Sequence, residues 1–301
     1  MKRVNNKAHT SKGNVAIVVF LLALACVSMG GRQEAFALDM ALMEPSQLHG
    51  SLGEWTVLDA RPRKEWKAGH IQGALPFTWE DHVKAEDFGA SYRTPVARDL
   101  AGALGRMGIH EKTPVVVYGD ADESWGGEGW SSWVLAWLGH KGPIRVLNGG
   151  IQAWKERGYP LVGKGREGGR EPVEYRMTVR HELDIPAPQI ATQGNSIVVI
   201  DTRSSLEWMT GHLPFAIHIP WSDFHAGKAR RPLDREAFRK LLADHGVDPA
   251  KPIVYYCTAG VRSAYAWMVH TLTGHHMARN YVGGMSDWKE FSARKTTRKG
   301  V

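Results

Sequence analysis

Residues 58–79 read LDARPRKEWKAGHIQGALPFTW, and residues 200–221 read IDTRSSLEWMTGHLPFAIHIPW. The two stretches align without a gap. Asp59 meets Asp201, Arg61 meets Arg203, and Glu65-Trp66 meets Glu207-Trp208. Gly69-His70 meets Gly211-His212, and Ala74 meets Ala216. A second echo follows each, NGGIQAWKE at 148–156 and VGGMSDWKE at 282–290. Self-similarity on this scale means that one domain is present twice. We place the copies at 41–160 and 186–293. The stretch between them, 161–185, is rich in Gly, Pro and charge. It reads as an exposed connector with few apolar anchors.

Each copy alternates short apolar runs with helical patterns. TVLDAR and VVIDTR form one pair of strands, PVVVYG and PIVYYC a second, PIRVLNGG and ARNYVGG a third. DREAFRKLLADHG reads as a helix with an Asp cap and a Gly stop. Strands interleaved with helices predict an α/β fold, two tandem domains each built on a mainly parallel sheet flanked by helices. In such folds sites form beyond the carboxyl ends of the strands.

The chain has 301 residues, 43% hydrophobic and 23% charged, with twelve tryptophans, enough for two ordinary cores. Its start is different. Lys2, Arg3, Lys7 and Lys12 precede the apolar run Val15 to Met29, and Ala35-Phe36-Ala37 is a small-x-small pattern. This is the order of an export signal, 1–37, cut after Ala37. A cut before Cys26 would instead give a lipid-anchored protein in the cell envelope, the one route by which this reading reaches a membrane. The expected location is periplasmic. The leader holds five basic groups and one acid, so removing it lowers the net charge from +7 to +3. A further basic cluster sits in the final tail, 294–301, read as frayed. The body is then near neutral, and the sequence pI of 9.4 does not argue for a nucleic-acid partner.

Only two cysteines are present, Cys26 in the leader and Cys257. A mature chain with one thiol forms no internal disulfide, and one cysteine makes a structural zinc site improbable. Cys257 directly follows the strand PIVYY and opens the loop CTAGVRS, after which SAYAWMVHTLTGH is helical. A tight loop entering a helix turns backbone N–H groups inward and adds the positive end of the helix dipole. Both favour a thiolate, the nucleophilic form. Gly260 eases the turn. Arg262 either binds an oxyanion or braces the loop. The bland alternative for Cys257 is a small buried hydrophobe at a strand end.

Taken together, DTRSSLEWMTGHLPFAIHIPW, CTAGVRS and YVGGMSDW, with DARPRKEWKAGHIQGALPFTW and LNGGIQAW in the first copy, resemble a tandem-domain rhodanese. That is a sulfurtransferase family of the thiosulfate or 3-mercaptopyruvate type. The resemblance implies that Cys257 takes sulfur from a donor as a persulfide. The N–H groups of Thr258, Ala259, Gly260, Val261 and Arg262 would cradle the charged outer sulfur. A thiophilic acceptor, cyanide or a thiol, would remove it, with no metal and no organic cofactor. Partners are then small molecules, a donor and an acceptor.

The first copy has Gly119 where Cys257 stands and is expected to be inactive, walling one side of the site. Trp125 or Trp130 are candidates for the cleft, though most tryptophans of that cluster read as packing. Asp201, Arg203 and Glu207 read as a local ion-pair network at a strand end, with His212 packed against it. Because both copies carry this stretch, a fold role is preferred, with Arg203 kept as a candidate anion binder. Glu207 stands where family members often carry a second arginine. The loop has neither the basic pair of thiosulfate-preferring relatives nor the Gly-Ser-Gly start of mercaptopyruvate-preferring ones.

Two rivals remain. A phosphatase or arsenate reductase shares the Cys-loop-Arg design but spaces the two by five residues. Here four intervene, making a smaller cradle. The other rival is an exported, non-catalytic carrier of persulfide or another chalcogen.

Overall fold

The structure, a computed structural model, describes Met1 and residues 38–83, 95–163, 170–274 and 278–299. The leader, with the export signal and Cys26, lies outside the described residues apart from Met1. Strands β1 (Met40–Met43), β2 (Thr56–Asp59), β3 (Leu75–Pro76), β4 (Val115–Tyr118) and β5 (Ile144–Leu147) form a first sheet in the order β1-β5-β4-β2-β3. A second sheet holds β6 (Val198–Asp201), β7 (Ala216–His218), β10 (Ile253–Tyr256) and β11 (Ala278–Tyr281), in the order β11-β10-β6-β7. Every pairing within these two sheets is parallel. A small antiparallel hairpin, β8 (His225–Ala226) with β9 (Arg231–Pro232), is inserted between β7 and β10. The six anticipated strands are all present, and the fold is the expected pair of parallel α/β domains.

The strand runs are apolar on both faces because each sheet is covered on both. Val57, Val116, Tyr118 and Trp154 pack outside the first sheet, and Ile190, Val199, Val254 and Tyr256 outside the second. The inner faces share one continuous core, in which Val117, Trp130 and Trp133 join Tyr255, Tyr265 and Trp267. Equivalent helices of the two copies, Gly127–Trp137 and Val261–Leu272, meet there. Their approach is so close that a Cβ on Gly126 would lie 2.8 Å from the Tyr265 Cβ, and one on Gly129 would strike the Tyr265 backbone.

Two expectations are corrected, and one strand is added. The connector is anchored rather than loose over its described part: Val173 N–H donates to Gly105 O and Thr178 N–H to Leu138 O, and Tyr175, Leu183 and Ile185 are buried. Tyr175 and Leu183 join the core shared by the two copies and Ile185 the cluster outside the second sheet, a tertiary role that composition cannot display. Residues 164–169 of the connector lie outside the described residues. The basic tail is not frayed at its start, because the helix Gly284–Lys299 runs through it, with Arg294 paired to Glu290 at 3.1 Å. Strand β1 was not anticipated. It is a four-residue apolar run, Met-Ala-Leu-Met, that pairs in parallel with β5 at the edge of the sheet.

Candidate active site

Cys257 leaves the carboxyl end of β10 and is 2% exposed. The chain then turns within three residues. Gly260, at φ +78°, is the N-cap of the helix Val261–Leu272. A side chain there would be strained, and its Cβ would lie 2.8 Å from both Cα and O of Val282. The helix therefore starts two residues before the expected Ser263, which puts Arg262 on its first turn. The opposite wall is the Gly283-Gly284 turn that starts the last helix. Met285 N–H donates to Cys257 O at 2.8 Å, and Ser286 N–H to Thr258 O at 3.3 Å. With those carbonyls held outward, N–H groups of Ser263 and Ala259 are left to face the sulfur.

Burial pushes the Cys257 thiol up, but the Arg262 charge, those two N–H groups and the Ser263 hydroxyl outweigh it. The thiol lies below its ordinary value, in the direction of a thiolate.

Arg262 itself is occupied. Its Nη1 donates to Glu207 Oε2 at 2.6 Å and its Nη2 to Glu207 Oε1 at 2.8 Å and Thr258 Oγ1 at 2.9 Å. Thr258 Oγ1 donates to Glu207 Oε1 at 2.9 Å. Burial opposes both charges, yet the bidentate pair keeps the guanidinium above its ordinary value and the carboxyl well below the usual range. Of the two roles open to Arg262, bracing is the one seen: it ties the loop to the helix Ser205–Met209, and its charge still reaches the sulfur.

Arg203 is not available to an anion. Nε and Nη2 grip Asp201 at 2.6–3.1 Å, and Nη2 also donates to Gly211 O at 2.7 Å. The Tyr256 hydroxyl donates to the same carboxylate. In the first copy Arg61, Asp59, Gly69 and Tyr118 make the same set of bonds. This corrects the anion-binding candidacy in favour of the fold role, since a buried guanidinium must keep its partner. Glu207 belongs to Arg262 rather than to this network. His212 stacks on Trp208 at 3.6 Å, beside the pair rather than on it.

A cavity of about 350 Å³ opens over the sulfur, lined by Cys257, Thr258, Ala259, Val261, Arg262 and Glu207, and by Trp79 and Trp125 of the first copy. Trp125 is 51% exposed, has φ +53°, and its ring lies 5.8 Å from the Arg262 guanidinium carbon. Trp79 Nε1 donates to Ser124 O at 3.0 Å, which fixes that wall. Trp130 is core, as the packing alternative held. A larger cavity, about 460 Å³, is bounded by Ile190, Phe215, Trp288 and Lys295, and none of the loop residues line it.

The first copy has no thiol at the corresponding strand end. Its helix Gly127–Trp137 also starts from a left-handed glycine, Gly126 at φ +77°, so Glu128 occupies the place of Arg262. A Cβ on Gly119 would run into the Glu128 carboxylate and come within 3.0 Å of Ser124 Oγ. The buried acid fills the space that a thiol would need. Burial pushes its pKa up to about 7, with Asp120 and Asp59 adding to the rise against its own backbone N–H and the Ser124 hydroxyl.

Two parallel-sheet domains on one core, with a low-lying thiol at one strand end and a carboxylate at the other, define a tandem cysteine-loop α/β protein. The family model described as Rhodanese-like domain matches residues 44–157 and 189–291. The chain belongs to the rhodanese-like family. It is 31% identical over 254 residues to "Sulfur carrier protein TtuD" of Thermus thermophilus, covering 74% of this chain and 83% of that one. It is 30% identical over 248 residues to "Thiosulfate sulfurtransferase" of Corynebacterium glutamicum, covering 73% and 77%. In fold it is similar to the 3-mercaptopyruvate sulfotransferase SseA of Escherichia coli, with a TM-score of 0.73 and 19% identity over 82% of this chain and 99% of that one.

Proposed function

We propose that the protein is a sulfurtransferase that moves a sulfane sulfur from thiosulfate or 3-mercaptopyruvate to a thiophilic acceptor through Cys257. The observation that carries this reading is the buried thiol, held low beneath a cavity of small-molecule size. The thiolate attacks the outer sulfur of thiosulfate. The Cys257 S–S bond forms as the donor S–S bond breaks, and sulfite leaves with the electron pair. With 3-mercaptopyruvate the C–S bond breaks instead, and the carbon takes up a proton. The acceptor, cyanide or a thiol, then attacks the outer sulfur and returns Cys257 as thiolate, a two-step covalent scheme. The N–H groups that face Sγ lie where they would steady the charge as it moves. The small cradle and the engaged Arg262 favour a single sulfur over a tetrahedral phosphate. The basic-then-apolar leader supports export to the periplasm, freely or by a lipid at Cys26.

The test is intact mass after incubation with each donor. A gain of one sulfur, lost on adding cyanide and missing in Cys257→Ser, supports the reading. No adduct from either donor overturns it. The relative named a sulfur carrier favours a second reading, in which the acceptor is a protein; stable loading with poor turnover to cyanide would select it.

A further inference from the structure

Beneath the sulfur lies a buried polar pair, the Ser263 hydroxyl that helps to hold the thiol low and an amide, Asn280, to which the transfer scheme gives no role. Ser263 and Asn280 are both fully buried. Ser263 Oγ is 2.7 Å from Asn280 Oδ1 and 3.6 Å from Cys257 Sγ. Asn280 Nδ2 donates to Gly260 O at 3.0 Å, which turns its Oδ1 toward Ser263. Asn280 sits on β11 opposite Tyr255 of β10, beside the strand that ends at the cysteine.

The twin domain serves as an internal comparison. Its equivalent helix starts at Gly127 as this one starts at Val261, so Ser263 corresponds to Gly129. In the first sheet Val146 pairs with Val117 as Asn280 pairs with Tyr255 here, so Asn280 corresponds to Val146. The fold is therefore built without this pair in the copy that lacks the thiol. Burying a hydroxyl and an amide carries a desolvation cost that a glycine and a valine avoid. The pair accompanies the sulfur, not the fold.

We propose that Ser263, aimed by Asn280, is a positioning residue for Cys257, with its one hydroxyl hydrogen shared in turn between Asn280 Oδ1 and the sulfur. A hydroxyl has a single hydrogen to donate. When Cys257 is a free thiolate, the hydrogen turns to Sγ. When the charge has moved to the outer sulfur of a persulfide, it returns to Asn280, and no other bond changes. Asn280 also holds Gly260 O, so the hydroxyl and the turn that presents the backbone donors are fixed by one side chain. This inference rests on the sulfurtransferase reading for the persulfide stage only; its thiolate stage stands without it.

The test is the pH profile of Cys257 alkylation by iodoacetamide, which needs no sulfur donor and so fails or succeeds apart from the sulfur-uptake measurement. Ser263→Ala should raise the midpoint and slow alkylation at pH 7 about tenfold, the order of one hydrogen bond to a charged atom. Ser263→Thr, which keeps the hydroxyl, should restore the profile. Asn280→Val, the residue of the twin, should shift the midpoint the same way with a smaller effect. A purely structural pair would change thermal stability and leave the midpoint in place. A folded Ser263→Ala with the wild-type midpoint overturns the proposal, whatever the outcome for Asn280→Val.

Discussion

Replacing Glu128 by Gln should stabilise the protein, and by an amount that depends on pH. The carboxyl is buried against Ser124 Oγ at 3.1 Å, with Asp120 and Asp59 as the nearby charges and the Tyr265 ring packed on the same helix end. Its pKa in the folded chain is about 7, against 4.5 in the open chain. Between those values the folded state holds a proton that the unfolded state has lost. The stability from this group is fully present below pH 4.5 and is lost as pH rises through 7. At about 1.4 kcal/mol per pKa unit, the gap amounts to roughly 3 kcal/mol. Glutamine keeps the shape and the neutral charge at every pH. Glu128→Gln should therefore match wild type near pH 4.5 and exceed it by up to about 3 kcal/mol at pH 8.5. For a chain of this size that is a rise in Tm of roughly 6–10 °C. Urea unfolding followed by tryptophan fluorescence at four pH values between these limits measures it. A difference that stays flat with pH would refute the argument, because it would mean that Glu128 does not hold its proton in the fold.

Further perturbations separate bracing from chemistry. Glu207→Gln removes the charge opposed to Arg262, so the alkylation midpoint of Cys257 should fall while Tm drops; a midpoint that rises contradicts the assigned role of Arg262. Gly260→Ala must carry a side chain at positive φ against the Val282 backbone, a loss of about 2 kcal/mol or more, and sulfur uptake should fall with it. Arg203→Lys breaks a buried bidentate pair and should cost about 3 kcal/mol by denaturant titration. The donor KM of that variant should not change, and a raised KM would return Arg203 to the site.

Much of this molecule is legible in its residues. The gapless repeat, the six strand runs and the position of Cys257 at a strand end all follow from local pattern, because period, caps and turns are properties of neighbouring residues. The tertiary structure decided what long-range contacts decide. Local pattern left Arg262 either to bind an oxyanion or to brace the loop, and Glu207, 55 residues earlier, takes its fork. Arg203 was read first as part of a local ion-pair network, and the structure holds it on Asp201 under Tyr256, without the Glu207 that the network was expected to include. A lone acid in the Trp-rich helix of the first copy was a signal for Glu128, and a lone amide in ARNY was one for Asn280. Neither signal names its partner, since Glu128 reaches Gly119 and Asn280 reaches Ser263 only once a strand and a helix have packed.

The sequence by itself determined that one domain is written twice and that one copy alone carries a thiol. Only the packing of those copies decided the environment of that thiol: which charges are neutralised, which carbonyls are turned away, and which tryptophans close over it. Covalent order sets local geometry, whereas the field at a buried sulfur is the sum of groups that the chain brings together from both of its halves.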